Sequence, residues 1–224
     1  MSAAINRMFD HIAPTYDALN RVLSLGIDQA WRKRAVAALG PIAGRRVLDV
    51  CAGTLDLARL AQQAGAEVTA SDFAQAMLDR GRAKVAPGTE LVRADAMHLP
   101  FADGSFAGAL NGFGLRNLDD PLAGLREARR VLAPGARLVV LDFFRPRRAV
   151  TRAVQLLYNR RVLPWVGGLV SGDRDAYRYL AASIDRFATR QEVEAMARAA
   201  GFDRVWGEDL TAGISALVIC EVKP

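Results

Sequence analysis

Short apolar runs that stop at a polar or acidic residue recur along this chain, with helical patterns between them. That alternation constrains the fold more than any other feature. The runs are RRVLDVC (45–51), EVTASD (67–72), TELVRAD (89–95), FAGALNGF (106–113) and ARLVVLDFF (136–144). Spacing of apolar residues predicts helices near 56–64, 74–85 and 120–132. Strands and helices in this order build a largely parallel sheet wrapped by helices. Asp119 is the expected N-cap of the third helix, and Ala133-Pro134-Gly135 its stop. A later helix over 189–200 opens with Thr189 and Glu192 at capping-box spacing and ends at Gly201. Two strands, 203–209 and 214–221, follow as a hairpin-like last pair. The expected class is therefore α/β: a Rossmann-like, doubly wound sheet of seven strands.

The segments outside this alternation read as additions to one domain spanning 1–224, a length ordinary for a single unit. Residues 1–44 are expected to form a helical cap, whose second helix runs from Gln29 to Leu39 with Asp28 as N-cap. Residues 147–187, rich in aromatic, arginine and glycine residues, read as a helical substrate lid inserted after the fifth strand. Hydrophobic residues at 51% and charged residues at 24% match a globular protein with a full core. No stretch approaches the roughly 20 unbroken apolar residues of a membrane span, and no secretory signal is visible. Cys51 and Cys220 are the only cysteines, which suggests a reducing cytoplasm and neither a disulfide framework nor a metal site. Net charge is +6, and Arg145, Arg147, Arg148, Arg152, Arg160 and Arg161 crowd one segment. A solvated helix face and a surface for anionic lipid headgroups both remain open for that cluster.

Three carboxylates fall at the carboxyl ends of successive strands, where an open parallel sheet binds its ligands. Asp49 ends the first strand and leads into a turn holding Gly53 and Thr54, where glycine lets backbone N–H groups approach a ligand. Asp72 ends the second, placed to accept both ribose hydroxyls of an adenosine cofactor. Asp95-Ala96 end the third, an acid and a backbone amide suited to an adenine edge. Each has a plain structural alternative: a tight connection at Gly53, an N-cap at Asp72, a turn aspartate at Asp95. Together they outline an adenosine site.

The chain resembles the ubiquinone/menaquinone biosynthesis C-methyltransferases. The resemblance rests on FDHIAPTYDALNRVLSLGID, VLDVCAGTLDLA, ADAMHLPFADGSF, FGLRNLDDPLAGLREARRVLAPGARLVVLDF, DAYRYLAASI and GFDRVWGEDLTAGISALVIC, in order over almost the whole chain. FGLRN (113–117) with RYLAASI is the most specific part. The resemblance implies a class I methyltransferase fold, S-adenosylmethionine as cofactor, and C-methylation of demethylmenaquinol or a methoxy-benzoquinol precursor of ubiquinone. It carries cofactor contact to Thr54, Asp72, Asp95, Ala96 and Gly112, and to Tyr16 in the N-terminal motif, which in such folds closes over the cofactor. Gly112 stands where relatives often have serine. Leu55 stands where they usually have glycine, and its β-carbon disfavours positive φ. The expectation is that the turn needs only negative φ here and that Leu55 begins the helix.

Methyl transfer to an aromatic carbon needs an aligned quinol whose hydroxyl has lost its proton. Arg116 is the first candidate to stabilise that charge or hold a water acting as base, with Asn117 orienting the ring oxygen. The alternative for Arg116 is an ion pair with Asp119 or Asp120. Asp173, Asp175 and Tyr177 are candidates for the acceptor pocket, whereas His11 and His98 read as structural or exposed. Val154 to Gly172 suits a tunnel for the prenyl tail and peripheral contact with membrane lipid on the inner face of the cell membrane, or an ordinary lid helix. Two other readings stay open: a methyltransferase of a soluble phenol or polyketide, and a non-catalytic cofactor-binding partner in a quinone-biosynthesis complex. A missing G-x-G-x-x-G argues against a dinucleotide enzyme; a nucleic-acid methyltransferase would fit the basic charge, but the sequence shows no Asn/Asp-Pro-Pro-Tyr/Phe motif and no appended recognition domain. Oligomeric state stays open, with a homodimer among the alternatives.

Overall fold

A computed structural model describes residues 21, 24, 26–146, 151–152, 179 and 182–224. It shows a seven-stranded sheet flanked by helices, as the alternation predicts. The strands are β1 (Arg46–Val50), β2 (Glu67–Asp72), β3 (Glu90–Arg93), β4 (Phe106–Gly112), β5 (Leu132–Asp142), β6 (Arg204–Leu210) and β7 (Ser215–Glu221). The helices are α1 (Ile27–Ala38), α2 (Asp56–Gln63), α3 (Gln75–Gly81), α4 (Pro121–Val131) and α5 (Arg190–Ala199). Strand order is β3-β2-β1-β4-β5-β7-β6. The first five strands pair in parallel, and β7 runs antiparallel between β5 and β6. The order reverses between β1 and β4, so connections leave their carboxyl ends in opposite directions and open a crevice there.

Period-two alternation decides which side chain enters which layer. Val47 and Leu48, neighbours on β1, belong to opposite core clusters, as do Val139 and Val140 on β5. Both faces are covered, so these strands read as near-continuous apolar runs. Leu125, Ala128 and Val131 of α4 join one layer, while Trp31, Ala35 and Val36 of α1 with Leu57, Leu60 and Ala61 of α2 join the other.

Two caps differ from expectation. The N-cap of α1 is Gly26, at φ 77°, and Asp28 lies inside the first turn. Asp28 is buried and accepts hydrogen bonds from Ser24 Oγ (2.8 Å), Gln29 Nε2 (2.9 Å) and Arg32 Nε (3.4 Å). Its side chain is thus spent on a local polar cluster. The cap of α4 is Asp120, whose Oδ1 accepts from the Ala123 N–H at 3.1 Å. Asp119 falls one residue early because Pro121 takes the first helical position, where a missing N–H costs nothing. The capping box of α5 is present as predicted: Thr189 Oγ1 accepts from Glu192 N–H, and Glu192 Oε2 accepts from Thr189 N–H.

Candidate active site

The crevice at the carboxyl ends of β1, β2 and β4 encloses about 530 Å³, part of it open solvent. Gly53, Asp72, Asp95, Ala96, Gly112 and Asn117 line it. Six of the residues singled out in the sequence therefore meet around one cavity. Asp49, Thr54 and Arg116 do not reach its wall, and Tyr16, Asp173 and Tyr177 lie outside the described residues.

The Asp72 carboxylate organises the turns at the end of β2. Its Oδ2 accepts the Gly53 N–H at 2.8 Å, tying the glycine turn to the end of β2, and its Oδ1 accepts the Ala74 N–H at 2.8 Å. The N-cap of α3 is Ala74, with no side-chain cap, so Asp72 closes the turn ahead of the helix and does not cap it. Gly53 sits at φ 52°, and a β-carbon built on it meets nothing within 4 Å. Its open side lies beside the cavity, leaving room for a ligand against bare backbone. Asp95 Oδ1 accepts from Met97 N–H at 3.0 Å, so the carboxylate holds the turn that presents buried Ala96 to the cavity. Phe73 and Met77 add an apolar wall that residue-type arguments missed.

Asp49 lies under the turn and not in it. It is fully buried, with Oδ2 accepting from the Ala58 N–H at 2.8 Å and Oδ1 without a hydrogen-bond partner among the described residues. Burial pushes its carboxyl up to about 7, against the Ala58 hydrogen bond and the nearby Arg32 charge, which pull it down. Thr54 is likewise buried, its backbone packed so close to Gly81 that a β-carbon there would lie 2.6 Å away.

Leu55 overturns the expectation of a negative φ. It stands at φ 65°, ψ 26°, as the N-cap of α2. The turn therefore has the left-handed conformation for which glycine is the usual residue. Its side chain is fully buried against Gly81 and points into the core, leaving the cavity clear. Burial of the leucine offsets the left-handed conformation. Leu55→Gly is thus expected to lower unfolding free energy by about 2 kcal/mol, since lost burial of about 2–5 kcal/mol outweighs about 1–2 kcal/mol of relieved strain. Urea unfolding measures this. A more stable glycine variant would refute the packing account.

Two further non-glycine residues at positive φ, Cys51 (56°) and Phe113 (60°), line the same cavity. Such conformations persist only where surrounding structure enforces them, and they cluster at functional sites. Gly112 is explained by packing: a β-carbon there would strike Leu57 Cδ1. Serine at 112 would thus need Leu57 to move.

The FGLRN segment follows β4 as a tight turn. Asn117 is 6% exposed and lines the cavity, its Nδ2 donating to the Phe113 carbonyl at 3.2 Å. Arg116 has turned away. Its side chain is 5% exposed, with Nη1 donating to Asp142 Oδ1 at 2.5 Å and to the Phe113 carbonyl at 2.6 Å. The partner is Asp142, at the end of β5, and neither Asp119 nor Asp120. Burial pushes the Asp142 carboxyl up, and the Arg116 guanidinium opposes that shift. This arrangement makes Arg116 a brace behind the cavity and not a group on its wall. Asp142 was legible by the rule that found Asp72: it is a fourth carboxylate at the end of a parallel strand.

These features fit S-adenosylmethionine: a carboxylate for the ribose, a turn for the adenine edge, bare backbone at Gly53 and an apolar wall. The ubiE/COQ5 methyltransferase family matches residues 1–221. A demethylmenaquinone methyltransferase of Thermus thermophilus is 47% identical over 215 residues, covering 94% of this chain and 97% of that protein. A ubiquinone/menaquinone biosynthesis C-methyltransferase of Geotalea uraniireducens is 40% identical over 225 residues, covering 97% and 95%. Among solved structures, a SAM-dependent methyltransferase of Thermotoga maritima superposes with a TM-score of 0.70 at 20% identity, covering 97% of this chain and 99% of that one. The [4+2]-cyclase SpnF superposes with a TM-score of 0.73 at 18% identity, covering 98% and 96%. The structural likenesses carry the fold alone, since one fold hosts many chemistries. The sequence matches carry more: this chain belongs to the ubiE/COQ5 methyltransferase family.

Proposed function

We propose that this chain, an S-adenosylmethionine-dependent methyltransferase, methylates a ring carbon of a prenylated quinol, with demethylmenaquinol as its first acceptor. The supporting observation is 47% identity to a demethylmenaquinone methyltransferase over nearly the full length of both chains. A methoxy-benzoquinol precursor of ubiquinone is the second acceptor reading, favoured by the similarity to the Geotalea enzyme.

The cofactor, when bound, supplies an electrophilic methyl group on a sulfonium. Asp72 would accept the ribose hydroxyls, and Asp95-Ala96 would meet the adenine edge. Phe73 and Met77, which line the cavity, would shield that end from water. Asn117, at the other part of the wall, would donate to the quinol oxygen whose charge grows as the ring carbon attacks. Arg116 and Asp142 act behind it, holding the Phe113–Asn117 turn in shape. Tyr16, Asp173 and Tyr177 are proposed to close over the cofactor and acceptor, with 147–187 as the substrate lid. Contact of that segment with anionic lipid belongs to the same reading. No helix among the described residues is long and apolar enough to cross a membrane.

The test uses the purified full chain, methyl-labelled S-adenosylmethionine and reduced demethylmenaquinol in detergent. Transfer of label to the quinol, absent with the oxidised quinone, is the expected result. Binding of the cofactor without transfer to either quinol would support a non-catalytic partner. Transfer only to water-soluble phenols would move the substrate class.

A further inference from the structure

Tyr179 is separated from the FGLRN turn by more than 60 residues, yet its hydroxyl lies 3.1 Å from Asn117 Oδ1. The geometry points to Tyr179 as a positioning residue that acts through Asn117, orienting that amide so that it faces the acceptor as a hydrogen-bond donor. This role rests on the proposed methylation of a quinol.

The orientation follows from what each group can do. The Phe113 carbonyl only accepts, so the atom of the Asn117 amide facing it must be Nδ2. Oδ1 then faces Tyr179 and can only accept, so the tyrosine hydroxyl must donate. Both ends of the amide are thereby fixed: one Nδ2 hydrogen is held by Phe113, and the second is the amide's remaining donor. Asn117 is almost wholly buried and lines the cavity, so that donor serves the quinol oxygen without reorganising. Tyr179 is not part of the cavity wall. The Phe113 carbonyl is in turn held by Arg116 Nη1, and the Phe113 N–H by the Leu141 carbonyl at 2.7 Å. Without the Tyr179 hydroxyl, the single 3.2 Å bond to the Phe113 carbonyl is left to hold the amide in that orientation.

Tyr179 must also stay protonated to donate. Burial raises its phenol, with the Arg116 and Arg186 charges opposing and Asp119 assisting. The neutral form is therefore the one present at working pH.

The test is a double-mutant cycle of Y179F and N117A, with kcat and KM for reduced demethylmenaquinol and the Kd of S-adenosylhomocysteine. Y179F is expected to lower kcat about tenfold, the loss of one hydrogen bond in the transition state, with cofactor Kd unchanged. The double variant is expected to be no slower than N117A alone. A Y179F kcat within about twofold of wild type, or losses that multiply in the double variant, would overturn the role. Should Y179F fail to bind S-adenosylhomocysteine, 3-fluorotyrosine at 179 carries the test. Its more acidic phenol is expected to make turnover fall at lower pH than in wild type, and an unchanged pH profile would overturn the role. Absence of turnover by wild type itself would instead count against the proposed function.

Discussion

Asp72→Ala is expected to weaken S-adenosylmethionine binding by at least about 100-fold. Two hydrogen bonds from ribose hydroxyls to an ionised carboxylate contribute about 1.5–3 kcal/mol each, and a factor of ten corresponds to about 1.4 kcal/mol. The loss is compounded locally. Gly53 N–H and Ala74 N–H both donate to this carboxylate, so alanine releases the glycine turn from β2 as well as removing the ribose acceptor. Asp72→Asn separates the contributions: it keeps one acceptor oxygen for the turn but offers a donor where a second acceptor is needed. Titration calorimetry on the wild type and both variants gives the answer, with asparagine expected between the other two. Wild-type affinity in Asp72→Ala would place the ribose elsewhere in the crevice and leave Asp72 as a structural clamp.

The layered architecture was legible because period-two apolar runs and helical patterns depend on short-range order, and every strand from 45 to 221 falls within a few residues of its expected place. The start of β5 is the largest departure, at Leu132 instead of 136, because Leu132 pairs with Phe106 across an irregular register before regular pairing begins at Arg137. Helix starts were harder. Gly26 and Asp120 outcompete neighbouring candidates for reasons set by backbone conformation and by Pro121, and residue preference alone cannot rank Asp119 against Asp120. At the site, Asp72 and Asp95 at strand ends line the cavity, whereas Asp49 lies buried beneath the first turn. What the sequence concealed is where long side chains turn. Arg116 lies on the expected rim but finds Asp142, 26 residues away, and Leu55 takes a left-handed conformation because a core pocket beside Gly81 receives its side chain. Both outcomes depend on partners brought close only by the finished fold.

Asp142→Ala is expected to destabilise the protein by about 3–5 kcal/mol, the cost of leaving a buried guanidinium without its counter-charge. Asp142 is fully buried and Arg116 nearly so, and the carboxylate also accepts the backbone N–H groups of Arg116 (3.3 Å) and Phe143 (2.8 Å). The guanidinium carbon lies 5.9 Å from the Phe113 ring centroid and 5.8 Å from that of Phe143, and its Nε has no partner among the described residues. Aromatic neighbours and one remaining carbonyl cannot replace a paired carboxylate in this setting. The paired replacement Arg116→Met with Asp142→Leu removes both charges together and is expected to recover part of the loss, since apolar groups can substitute for a buried ion pair while the Arg116 and Phe143 N–H groups stay without their acceptor. Because neither side chain lines the cavity, the double variant should bind S-adenosylmethionine with wild-type affinity. Denaturant unfolding and calorimetry read the two quantities separately. Stability of Asp142→Ala within about 1 kcal/mol of wild type would mean that Arg116 swings out to water, which a brace locked behind the cavity does not do. Cofactor affinity lost in a stable double variant would put the guanidinium in the binding site after all.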